Sequence, residues 1–326
     1  MKKSLCLLIA LMIPLSAMLA ACDFSRQLGI LTQSSEQEAE QEAEQVASFR
    51  FRSHGDGTCS VYCEKMASEI VIPSTSPDGD LVVEIGKDAF SFVGGNTKIT
   101  SITIPDSVST IGERAFYQCK GLTSIIIPDS VTVIYQNAFA RCTGLTNVTL
   151  SNDLKTILGW AFSECPSLTS ITIPDGVKYI GEYAFHACTS LTSITIPDSV
   201  ETICENAFAD CSNLTNVSIG KGVKEFGGAF SNCTSLTSIT IPDGLEVISS
   251  GAFSGCTGLT SVIIPDSVYR IMSSAFSRCE NLTTVYFTGT KEEWNNIIKE
   301  GSNEPLLAAA KQYDYSPAPE TNGGED

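Results

Sequence analysis

The chain has 326 residues, 43 % of them hydrophobic and only 17 % charged, with a formal net charge of −17. That length is one large domain or two ordinary ones. The negative balance excludes a nucleic-acid surface, which needs clustered Lys and Arg to displace counterions, and it opposes adsorption to an anionic lipid face. With only two histidines, His54 and His186, there is little raw material for acid–base chemistry or metal ligation. No cofactor, metal or catalytic residue is expected.

In chain order, residues 1–21 read as a signal peptide. Lys2 and Lys3 precede the apolar core "LCLLIALMIPL", which has signal-peptide length. The core runs into "LAAC", ending at Cys22. Small residues before such a cysteine resemble the lipobox of bacterial lipoproteins. The resemblance implies cleavage before Cys22 and acylation of its thiol and new amino group. Two or more acyl chains hold a protein on a membrane stably where one does not. No later stretch is long and apolar enough to span a bilayer, so membrane contact is expected through the lipid anchor alone. The expected location is the bacterial cell envelope, at the outer membrane or cell surface. Residues 22–48 form an acidic flexible spacer, since "EQEAEQEAEQVA" offers no aliphatic seam beyond Val46.

Residues 49–288 are expected to form one repeat domain that includes an N-terminal cap rung. The pair Ala-Phe recurs with Phe at 90, 116, 139, 162, 185, 208, 230, 253 and 276, a first step of 26 and then 23, 23, 23, 23, 22, 23 and 23. Twenty-odd residues bury too little surface to fold alone, so these units are rungs of a solenoid, each buried by its neighbours. Within one rung, Ile125 and Ile127 alternate as in a half-buried strand, and Pro128-Asp129 turns the chain. Val131 and Ile134 make a second short apolar edge. Ala138, Phe139 and Cys142 follow at helical or tight-turn spacing. With Leu122, that is eight apolar positions per rung, repeated in register.

The run L-x-x-I-x-I, turn, V-x-x-I, Ala-Phe and Cys resembles the bacterial surface class of leucine-rich repeat called BspA-like, over roughly residues 70–288. The resemblance implies an α/β solenoid, a right-handed superhelix of about nine rungs. It would carry a parallel β-sheet on one face and short strands and helical turns on the other. Residues 70–90 form a stretched N-terminal cap rung. Residues 289–315 form a C-terminal cap, in which Thr290 and Glu293 make a capping box. Trp294, Ile297 and Ile298 supply the apolar stripe of that helix, and Gly301 can end it. Residues 316–326, "SPAPETNGGED", read as a disordered tail.

Eight cysteines (119, 142, 165, 188, 211, 233, 256 and 279) sit three residues after the rung phenylalanines from Phe116 to Phe276. One cysteine per rung makes a line, whereas zinc needs paired ligands at short spacing. Buried thiols suit a small inward position; disulfides between neighbouring rungs are the alternative, within reach of the bond. Cys59 and Cys63 precede the repeats and would bond only across a turn. The aspartates after the turn prolines are read as turn formers rather than a calcium column, which Asn152 and Lys221 interrupt.

Two surfaces stand out for binding. The outward sheet positions form columns that include Ser124, Ser170, Ser193 and Ser261 in one and Ile126, Thr172, Thr195, Ile263 and Tyr286 in the other. A second candidate patch joins Tyr135 and Leu158 in one column with Trp160 and Tyr183 in the next, and Tyr179 nearby. Trp and Tyr bury large area with little entropy loss and so anchor interfaces. The expected function is non-catalytic binding at the cell surface. Proteins the chain resembles serve in adhesion, so the implied ligand is a protein or glycan of the host matrix, host cells or other bacteria. The alternative is an envelope or periplasmic scaffold binding a partner of the same cell.

Overall fold

Each 23-residue rung makes two short strands joined by two tight corners. The S-I-T segment gives strands such as Ser124–Ile126 and Asn147–Thr149, with the central residue buried and its neighbours exposed. The V-x-x-I segment gives two-residue strands such as Val133–Ile134, Thr156–Ile157 and Tyr179–Ile180. Both sets pair in parallel with their equivalents one rung away: Ile157 lies between Ile134 and Ile180, and Asn147 between Ser124 and Ser170. The eight apolar positions of the rung, Leu122 to Cys142, are all buried. The computed structural model describes residues 47–91 and 94–317; Cys22, nearly all of the spacer and most of the tail lie outside them.

The expected second apolar edge is a full sheet, and the solenoid is longer than nine rungs. Eleven strands line the first face, from Glu69–Val71 to Ala310–Gln312, and eleven the second, from Thr58–Lys65 to Ile298–Lys299. At the usual strand spacing the stack is about 50 Å long. The extra turns lie at the ends, where the Ala-Phe and Cys signals are missing. Helix is scarce. Among the described residues it is confined to Lys291–Asn296 and Glu304–Ala308.

The corner around Ala-Phe is built from turns with left-handed residues, not from helix. One precedes the Ala-Phe pair: Asp88, Arg114, Asn137, Trp160, Tyr183, Asn206, Gly251 and Ser274 have φ between 55° and 69°. Another precedes the cysteine, from Gln118 (59°) to Arg278 (59°). The corner carbonyls and amides bond from rung to rung, as in Phe139 N–H to Ala161 O at 2.8 Å. The 22-residue rung is the exception. It has lost one residue between Phe226 and Ala229 and has no left-handed residue before Ala229. The second-face sheet breaks here, ending at Glu225–Phe226 and resuming at Val247–Ile248.

Two columns fill the core. The nine rung phenylalanines stack almost face to face, with centroids 4.9 to 6.0 Å apart. The widest gap, 6.0 Å between Phe230 and Phe253, is where Phe226 leans against both at 5.6 Å. Beside them, each rung cysteine is a free thiol that donates to the carbonyl of the phenylalanine one rung earlier. Examples are Cys142 to Phe116 O at 3.1 Å and Cys188 to Phe162 O at 3.2 Å. That carbonyl already accepts the backbone N–H of its own rung's cysteine, so the thiol satisfies the second lone pair. Burial pushes these thiols up, Cys119, Cys165 and Cys279 to about 12.

Polar side chains repeat the same rung-to-rung logic. Thr146, Thr215 and Thr260 hydroxyls donate to the carbonyls of Thr123, Thr192 and Thr237 at 2.9 to 3.0 Å. Asp129 and Asp198 carboxylates accept the backbone N–H of Asn152 and Lys221, both at 2.8 Å. These are the two residues that interrupt the aspartate column, and each is tied down by the aspartate before it.

The ends are closed differently. Ser48–Ser53 adds an antiparallel strand against Thr58–Lys65. Cys59 and Cys63 lie in that strand as free thiols. At the other end the Thr290–Glu293 capping box forms. Trp294 and Ile297 are buried as expected, with Trp294 edge-on to Phe287 at 5.4 Å. Ile298 is not part of the apolar stripe. The helix stops at Asn296, and Ile298 starts a strand beside Arg270 with its side chain 56 % exposed. The cap thus extends the solenoid by one turn. Lys299 and Lys311 donate to the terminal carbonyls of the two helices, where a cation complements the helix dipole.

Candidate functional site on the aromatic edge

The corners before and after Ala-Phe form one long edge of the solenoid, and aromatic residues gather there in its middle rungs. Trp160 and Tyr183 occupy equivalent positions on adjacent rungs, so the repeat itself sets them side by side. Their rings stack at 4.1 Å with an interplanar angle of 13°. Both are held in the left-handed region, φ 62° and 55°, which costs a residue with a Cβ roughly 1–2 kcal/mol. Most other rungs fill this position with Asp, Asn, Gly or Ser. Trp160 is 36 % exposed.

The neighbouring column, one residue after the phenylalanine, reads Tyr117, Ala140, Ser163 and His186. Ala140 leaves room, and a cleft of about 290 Å³ opens between Tyr117 and Trp160, lined also by Asn137, Arg141, Ser163 and Glu164. Arg114 lies over the Tyr117 ring at 4.3 Å. Arg141 donates to Glu164 Oε1 through Nε at 3.1 Å and a terminal nitrogen at 3.0 Å, and this partner raises its pKa. His186 meets the Tyr183 ring edge-on at 5.5 Å, and its Nε2 lies 3.0 Å from Asp210 Oδ2. Ser163 Oγ and His186 Nδ1 are buried without a hydrogen-bond partner among the described residues.

Of the five residues expected in this patch, the structure brings Trp160 and Tyr183 together. Tyr135 is 41 % exposed and Leu158 half-buried in the column beside them. Tyr179 sits on the second sheet face and turns to Cys204. That hydrogen bond, followed by burial, pushes its hydroxyl up to about 12. Tyr117, Arg141 and Glu164 were not singled out from the sequence. Their signal was present in the column periodicity, as residues facing the gap that Ala140 leaves. His186 is half-buried against the aromatic pair.

The sheet-face columns form as well. Ser124, Ile126, Ser170, Thr172, Ser193 and Thr195 are exposed, with Ile126 at 70 %. Towards the C-terminal end the face closes: Ser261 and Ile263 are half-buried, and Tyr286 lies under Tyr315, ring centroids 4.5 Å apart. Shallow hollows of about 320 and 220 Å³ mark this face around Thr149 and Thr172 and around Thr195 and Ser218.

One polar group outside these surfaces has the residue types of a catalytic triad. His54 Nε2 lies 2.8 Å from Ser60 Oγ and 3.5 Å from Glu84 Oε2, and Ser60 donates to Glu84. A triad places serine and acid on opposite ring nitrogens. Here both share Nε2, Nδ1 is taken by Thr58 at 2.9 Å, and Ser60 is buried. The group ties the N-terminal hairpin to the next strand. Among the described residues no cluster of His, Cys, Asp and Glu could hold a metal.

Residues 60–192 and 178–301 match the family profile described as the BspA type leucine rich repeat region, in six copies. Among solved structures, a leucine-rich repeat protein from Bacteroides ovatus is 26 % identical, the match covering 82 % of this chain and 77 % of that one, with a TM-score of 0.54. A leucine rich cell surface protein from Faecalibacterium prausnitzii is 24 % identical over 78 % of this chain and 97 % of that one, TM-score 0.41. The pneumococcal vaccine antigen PcpA is 18 % identical over 79 % and 96 %, TM-score 0.35. No curated protein matches the chain. With the family profile covering both halves of the repeat and the rungs folding as that repeat requires, this chain belongs to the BspA-type leucine-rich repeat proteins.

Proposed function

We propose that this chain is a non-catalytic binding protein of the bacterial cell surface. It is held by acylated Cys22 and adheres to host matrix, host cells or other bacteria through a protein or glycan ligand. The observation that carries the reading is the Trp160–Tyr183 stack. Two large aromatic side chains stand stacked on adjacent rungs along one edge of the solenoid, with Trp160 exposed. Trp and Tyr anchor interfaces because they bury a large area with little entropy loss. The lipobox-like "LAAC" and the acidic spacer behind it support presentation away from the membrane. The His54–Ser60–Glu84 group has the wrong connectivity for a nucleophile, which supports the non-catalytic part.

Surface exposure is the point on which adhesin and internal scaffold differ. Intact cells treated with a protease too large to enter should lose the repeat domain, and Cys22→Ala should release the chain from the membrane fraction. Full protection until lysis would sink the adhesin reading and favour a periplasmic scaffold.

A further inference from the structure

We propose that the cleft between Tyr117 and Trp160 is a subsite for one neutral pyranose ring of a glycan; the inference rests on reading this edge as a binding surface. Tyr183 covers one face of the Trp160 indole. Every other residue lining the cleft comes from the rung of Trp160 or the two rungs before it, so the cleft lies on the side of Trp160 away from Tyr183. Its volume of about 290 Å³ is at the lower limit of ligand pockets, which start at roughly 300 Å³. That is room for one ring.

The lining selects the chemistry. A pyranose has an apolar C–H face to lay on the indole and hydroxyls around its rim. The cleft answers that rim with the Asn137 amide, the Arg141 guanidinium and the Glu164 carboxylate. Both Arg141 bonds fall on Glu164 Oε1, so Oε2 can accept from a ligand hydroxyl. Ser163, 1 % exposed, adds a buried hydroxyl with no partner among the described residues, the kind of polar group that ordinarily finds one. An aromatic or proline side chain of a peptide would stack equally well but cover these polar groups without returning hydrogen bonds. A nucleotide base would bring phosphates to a chain of net charge −17. Glu164 likewise argues against an acidic sugar.

A single-ring subsite binds weakly, and display of many copies on a cell converts weak sites into firm attachment. The test uses the full mature chain in affinity gel electrophoresis against dextran, mannan, galactan and chitopentaose, with Trp fluorescence as a second readout. Trp160 and Trp294 are the two tryptophans, and Trp294 is buried, so a quench reports on Trp160. At least one probe should retard the chain and quench it. Trp160→Asn, which places here the residue found at 137 and 206, should weaken retardation at least tenfold, and Tyr117→Ala several-fold. The proposal is overturned if no probe retards the wild-type chain, or if Trp160→Asn is retarded equally. Should Trp160→Asn lose binding to host cells while no probe retards the wild type, the edge remains a binding surface and the sugar is overturned.

Discussion

Replacing Phe162 with alanine is expected to destabilise the solenoid by about 4 kcal/mol and to split its unfolding into two transitions. The ring is fully buried and stacks on Phe139 at 5.2 Å and on Phe185 at 5.4 Å. Truncating a buried phenylalanine removes its transfer free energy and leaves a cavity, together about 3–5 kcal/mol. The same truncation interrupts two aromatic pairs of roughly 0.5–1.5 kcal/mol each, a loss contained in that range. In a solenoid each rung is held only by its neighbours. A weak link at the middle of the stack therefore uncouples the rungs before it from those after it. Urea unfolding followed by circular dichroism and amide exchange should show one transition in the wild type and two in the variant. A variant that unfolds in one step at the wild-type midpoint would show that the phenylalanine column does not carry the cooperativity.

The cysteine column makes the fold sensitive to alkali. Burial raises Cys119, Cys165 and Cys279 to about 12 and the other five rung thiols well above the ordinary 9.0. Between pH 9 and 12 the unfolded chain releases thiol protons that the folded chain keeps. The folded state then binds more protons, so stability falls as pH rises. Each thiol contributes a slope of about 1.4 kcal/mol per pH unit, and eight together contribute on the order of 10 kcal/mol per unit. A domain's whole stability is about 5–15 kcal/mol. Stability is fully present below pH 9 and should collapse within one or two units above it. Thiolate absorbance should appear in one step together with loss of the circular dichroism signal. Thiolates titrating near pH 9 with the fold intact would contradict the buried column.

How much of this could be read from the chain depended on whether neighbours or isolated residues set each feature. Leu122, Ile125, Phe139 and Cys142 announced their burial because the same residue types recur every 23 positions and must stack on themselves. The end turns were missed for the converse reason. Val61 at one end, and Leu306 and Ala309 at the other, are buried without an Ala-Phe pair to mark the rung. Ile298 was misplaced because a stripe of three apolar residues fits a helix, whereas pairing with Arg270 ended the helix early. The left-handed corners were invisible because Arg114, Trp160 and Glu164 carry no preference for that region; only closure of the rung puts them there. In the candidate site, Trp160 and Tyr183 were legible as adjacent members of one column. The cleft beside them was not, because it depends on the smallness of Ala140 and on Tyr117 two rungs away.

The proposed role is binding on behalf of the cell that displays this chain. Its most direct test is to count bacteria attached to host cells and to matrix-coated surfaces for the wild type, a deletion strain, and that strain complemented with the wild-type or Trp160→Asn chain. Deletion should lower attachment to at least one surface, the wild-type chain should restore it, and Trp160→Asn should not. Equal attachment by the deletion strain and the wild type on every surface would contradict it.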